Sequence, residues 1–132
     1  MNKSFFMATV AGGATLGILS AVIYGVLLAD FFAATISAEP IMWAVTLGQL
    51  LSAAFLTIIL GWKGVGSAKD GFQAGAIIGI VMGLANGLMT YGRRDNVETI
   101  ATLIGEAVVT LFVYGIGCAV IAIVLNRGRA AA

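Results

Sequence analysis

Apolar residues run along this chain in four long, nearly unbroken stretches, at 5–28, 41–62, 72–91 and 100–125. A hydrocarbon core about 30 Å thick needs roughly 20 such residues at 1.5 Å of rise each, so every stretch is long enough to cross it. Only a helix satisfies its own backbone over a continuous apolar run, whereas a barrel strand would be about half as long and would alternate polar with apolar. The pattern predicts an all-α, polytopic membrane protein, with four transmembrane helices forming one domain over residues 1–132. Short connections at 30–40, 63–70 and 92–98 leave no room for a soluble domain. Lys3 before the first stretch and Ser37-Ala38-Glu39 after it imitate a signal peptide. That stretch is longer than the roughly 7–15 residues of an h-region, so it is expected to stay as a permanent helix.

Composition agrees with lipid as the solvent. Of 132 residues, 61% are hydrophobic and 10% charged, with mean hydropathy +1.07. A soluble domain would carry about a quarter charged residues, and so small a core could not hide this much apolar surface. Seven Lys+Arg against six Asp+Glu provide no basic face for nucleic acid. The chain has no histidine and a single cysteine, Cys118. It therefore lacks an internal disulfide and the commonest metal ligand, haem ligand and general base. No catalytic residue, metal or cofactor is expected.

Charge also sets the orientation. In a four-span chain Lys3, Lys63, Lys69, Arg127 and Arg129 share the side of the termini, and Arg93 and Arg94 lie opposite, beside Asp95 and Glu98. The positive-inside rule then puts both termini in the cytoplasm, as in a bacterial inner-membrane protein. Asp30 and Glu39 fall outside, with Trp43 at the outer interface and Trp62 at the inner one.

Two hairpins can be aligned. Gly13-Ala14-x-x-Gly17-Ile18 matches Gly75-Ala76-x-x-Gly79-Ile80, continuing through Ala21/Gly83, Tyr24/Asn86 and Gly25/Gly87, and Gly48-Gln49 matches Gly105-Glu106. This reads as two tandem, parallel-repeat hairpins related by an axis along the membrane normal, against the alternative of chance similarity between Gly-rich helices. Span three bears Gly71, Gly75, Gly79, Gly83 and Gly87, one every fourth residue, and span one the shorter series Gly13, Gly17, Ala21, Gly25. Strips of missing side chains let helix backbones approach closely in lipid. Spans one and three are expected to meet through them; the competing arrangement turns the rail outward to another subunit.

Each span also carries one polar side chain at similar depth: Tyr24, Gln49, Asn86 and Glu106, all roughly 6–12 Å below the outer surface. They form either a hydrogen-bonded clasp across the bundle or a proton or cation site centred on Glu106, an ionisable group in a costly location. Arg93 or Arg94 could instead reach down to pair with Glu106. Met7, Met42, Met82 and Met89 are scattered, which favours core filling over soft-metal binding. Cys118, beside Gly115 and Gly117, reads as a small packing residue, and Phe31-Phe32 as an interfacial anchor. Ser52, Thr57 and Thr110 can bond to carbonyls of their own helices.

Ala21-Val22-Ile23-Tyr24-Gly25-Val26-Leu27-Leu28, Gly75-Ala76-x-x-Gly79, Tyr91-Gly92-Arg93, and Gly105-Glu106 with Tyr114-Gly115 follow one another in an order that resembles the bacterial family called domain of unknown function 1761. The resemblance implies a small protein of four membrane helices and brings no activity, ligand or catalytic residue. Two functions follow from the residues. One is a non-catalytic helix-packing module, a homo-oligomer or an accessory subunit of a larger membrane complex, whose partners are the bilayer and itself or other membrane subunits. The other is a small proton- or cation-coupled transporter or channel using Glu106.

Overall fold

The computed structural model describes residues 3–27, 41–92 and 100–131. Among these every regular element is helical: α1 (Lys3–Val22), prolonged by a π-helical turn at Ile23–Leu27, α2 (Met42–Lys63), α3 (Ala68–Gly92) and α4 (Ile100–Ala131). All four are long and apolar enough to cross a membrane. This is the architecture of a multi-pass membrane protein. The segments around Asp30, Phe31-Phe32, Glu39, Arg93, Arg94, Asp95 and Glu98 lie outside the described residues.

Two helix boundaries differ from the limits of the apolar runs, each for a local reason. α3 starts at Ala68, ahead of the apolar run at 72, because Ser67 caps it: the Ser67 Oγ accepts the Asp70 N–H at 3.1 Å. Asp70 in that first turn also suits the positive end of the helix dipole. α4 is 32 residues long, about 48 Å, and carries its last turns past the apolar run. Between α2 and α3 the chain turns in four residues. Gly64 takes the left-handed φ of +69°, its N–H reaches the Leu60 and Gly61 carbonyls at 3.0 and 3.3 Å, and the Val65 N–H reaches Leu60 at 3.4 Å. This paired closure is a Schellman motif, with buried Val65 and Leu60 supplying its apolar contact.

The helices run up, down, up, down. Ser4 of α1 lies against Gly128 of α4, Gly12 against Ile121, and Leu16 against Gly117, so α1 and α4 are antiparallel. α4 is central, with α3 on one flank and α1 on the other; α2 packs on α1, meets α4 less, and scarcely meets α3. Leu16, Leu56, Leu60, Cys118 and Ile121 are fully buried in the core, together with Thr57. The burial of Cys118 fits its expected role as a small packing residue. Most of this core lies toward the end of the bundle that holds the α2–α3 turn and the starts and ends of α1 and α4. At the other end Ile41 and residues 42–48 of α2 are all exposed.

The glycine rail of α3 faces inward, but its partner is α4 rather than α1. A methyl group at Gly71 would come 2.6 Å from the Cys118 carbonyl oxygen, and methyls at Gly75 and Gly79 would collide with the carbonyl oxygens of Tyr114 and Thr110. Gly83 presses on Thr110 and Ala107, and Gly87 on Leu103. At Gly71, Gly75 and Gly79 the hydrogens that stand in place of a side chain point at α4 carbonyls, the geometry of weak Cα–H···O contacts. Spans one and three therefore do not cross through their glycines. The reason is that α4 interposes its own backbone: its packed row 103, 107, 110, 114, 118 matches the four-residue period of the rail. In α1 only the deeper glycines are engaged, Gly13 against Leu50 and Ala53, with Gly12 against Ile121; Gly17 and Gly25 meet no atom within 4 Å.

The methionines also depart from expectation. Met7, Met42, Met82 and Met89 are all exposed rather than core filling. With lipid outside, an unbranched apolar side chain gains little by turning inward, so the usual bias is lost. Trp43 and Trp62, at opposite ends of α2, are exposed as well. Their separation of about 28 Å along the helix spans one hydrocarbon thickness, as two interfacial belts require.

Candidate functional site

Between α1, α2 and α4 the helices leave a chamber of about 340 Å³. The π-helical turn at Ile23–Leu27 supplies Tyr24, and Ser20 lies one turn earlier in the same row. Wide π turns displace side chains from the α-helical register and recur at functional sites. From α2 come Gln49 and Ser52, three residues apart; from α4 come Thr110 and Tyr114, four apart, with Val45, Gly48 and Val113 closing the walls. The spacings put each pair on one helix face. At 1.5 Å per residue, Gln49 and Ser52 stand about 10 and 15 Å from the start of α2, within the depth of the membrane. Among the described residues the polar groups of the lining are all uncharged: hydroxyls, phenols and one amide.

Two of the four expected polar residues, Tyr24 and Gln49, share this chamber. Asn86 and Glu106 do not line it: Asn86 is exposed on α3, and Glu106 is half-buried on α4. The contribution of α4 comes instead from Thr110 and Tyr114, one and two turns beyond Glu106 in the same i, i+4 row. That row was the available signal for them.

Thr110 also joins helices. Its hydroxyl is 2.7 Å from the Gly79 carbonyl across the α3–α4 interface, and 2.9 and 3.1 Å from the Glu106 and Ala107 carbonyls of its own helix. Thr57 bonds to the Ala53 carbonyl at 2.7 Å, in the within-helix manner expected of it.

A second space of about 260 Å³ adjoins the chamber toward α3, sharing Ser52 and Tyr114 and otherwise walled by Leu51, Phe55, Leu56 and Met82. On the opposite side a largely apolar groove of about 740 Å³ runs between α1 and α2. Its α1 wall includes the small residues Gly13, Gly17, Ala21 and Gly25, flanked by Val10 and Ile18, and its α2 wall includes Met42, Val45, Thr46 and Leu50. Tyr24 and Gln49 lie between groove and chamber and line both.

No group of three or more metal-ligating His, Cys, Asp or Glu side chains occurs among the described residues. Comparison with protein-family models, with curated proteins and with solved structures finds no match to the chain.

Proposed function

We propose that this chain is a non-catalytic membrane helix-packing module, a homo-oligomer or an accessory subunit of a larger membrane complex, which receives a transmembrane helix in its α1–α2 groove. The observation that carries this reading is the open stripe Gly17, Ala21, Gly25. The equivalent rail on α3 is consumed against α4, whereas a methyl at Gly17 or Gly25 would touch nothing within 4 Å. In lipid, an unoccupied strip of small residues beside an apolar groove is where another helix gains dispersion contact. Thr46 and Gln49, on the α2 wall, offer such a helix hydrogen bonds as well.

The exposed cations Lys3, Lys63, Lys69 and Arg127 all belong to the end of the bundle that holds the α2–α3 turn. This supports a bacterial inner-membrane location with both termini in the cytoplasm. The matched motifs beginning at Gly13 and Gly75 support descent from a duplicated hairpin, and the order of motifs supports kinship with the domain of unknown function 1761 family. A proton- or cation-coupled path through Glu106 draws no support from the chamber, whose lining lacks it.

The native mass of the wild-type chain, extracted with a belt of its own membrane, tests the reading. An assembly heavier than one 13.5 kDa chain is expected; a bare monomer at every protein concentration would overturn it.

A further inference from the structure

The α2–α3 side of the bundle carries a separate feature. α2 and α3 are tied together at the Gly64 turn and barely touch beyond it, so the cleft between them opens sideways to the bilayer. Leu51, Phe55 and Met82 stand exposed along this cleft and wall the space of about 260 Å³. Beside it lies the chamber of about 340 Å³, whose polar groups are all uncharged among the described residues, and Ser52 and Tyr114 belong to both. An apolar space open at the side of the bundle, next to a cluster of neutral hydrogen-bonding groups, matches one chemistry, that of an amphiphile. Sites for small molecules share this construction, an apolar wall with a few convergent polar groups, and fall in this size range.

We propose that the two spaces, which share Ser52 and Tyr114, join to form a binding site for a neutral bilayer amphiphile. Its hydroxyl, carbonyl or amide head hydrogen-bonds with Gln49, Ser52 and Tyr114 in the chamber, and its apolar chain leaves past Phe55 and Met82. An ionised head is disfavoured because no Lys, Arg, Asp or Glu among the described residues lines either space, and an unpaired charge at this depth is costly. The apolar space walled by Leu51, Phe55 and Met82 shares no lining residue with the groove proposed to receive a helix, whereas the chamber borders that groove through Tyr24 and Gln49.

The test uses the full chain in bilayer nanodiscs of phosphatidylethanolamine and phosphatidylglycerol. The probe is hexadecanol carrying a mid-chain diazirine and a terminal alkyne, and the matching hexadecanoic acid is the comparator. After irradiation, peptide mass spectrometry locates the adducts. Alcohol adducts concentrated at Leu51, Phe55 and Met82, with few from the acid, are the expected result. Tyr114→Phe keeps the ring and removes one hydrogen-bonding group, and it should weaken labelling about two- to tenfold. Gln49→Leu should reduce it at least as much. Adducts spread evenly over lipid-facing positions such as Phe6 and Ile123, equal labelling by the acid, or undiminished labelling in both variants would each overturn the site. Gly17→Leu separates this proposal from the packing module: it should lower the native mass and leave the adduct pattern unchanged.

Discussion

The hydroxyl of Thr110 donates to the carbonyl of Gly79 across 2.7 Å, joining the middle of α4 to the middle of α3. This is possible only because Gly79 has no side chain, since a methyl there would occupy the space of the Thr110 carbonyl oxygen. Close backbone approach and an interhelical hydrogen bond thus meet at one point. Thr110→Val preserves shape and removes the bond. It should destabilise the bundle by about 0.6 kcal/mol, with an upper bound of about 1.7 kcal/mol, the range for interhelical hydrogen bonds in membranes. Thermal unfolding in detergent micelles measures the difference.

The α2–α3 turn should be strongly sequence-specific. Gly64→Ala forces a Cβ into the left-handed region and should cost about 1–2 kcal/mol. Ser67→Ala removes the cap of α3 and should cost about 1 kcal/mol. Since Gly66 is exposed and has an ordinary φ, Gly66→Ala is the neutral control for both in the same unfolding assay.

How far these features can be read from residues alone differs between them. The number of spans and the axial depths of Tyr24, Gln49, Asn86 and Glu106 follow from counting residues along apolar runs. Which of the four share a cavity does not, because it depends on how each helix is rotated about its axis. Gly71 through Gly87 mark a close-packing face in the same way, by period. The surface opposite them is made largely of backbone oxygens of Thr110, Tyr114 and Cys118, and a carbonyl has no signature in sequence. The methionines mislead for a related reason: when lipid replaces water, an apolar residue no longer reports which way is inward. By contrast Gly64 followed by Ser67-x-x-Asp70 is a complete stop-and-start signal in the sequence.

Membrane orientation has a direct check. Reporter domains fused after Ala132 and inserted at 92–98 should lie on opposite sides of the membrane, the former in the cytoplasm, as follows from the distribution of Lys and Arg. Both reporters on one side would be incompatible with four spans.

The α3 rail is spent inside the bundle, and the α1 stripe at Gly17 and Gly25 is left free. The melting temperatures of Gly79→Ala and Gly17→Ala, measured side by side with wild type in micelles that hold single chains, test it most directly. Both substitutions offer a helix-propensity gain of up to about 1 kcal/mol. At Gly17 nothing opposes it, so that variant should melt at or slightly above wild type. At Gly79 the new methyl collides with the Thr110 carbonyl, and overpacking of about 1–3 kcal/mol should win, so that variant should melt lower. Equal melting temperatures for the two variants, or a loss at Gly17 with none at Gly79, would contradict the account.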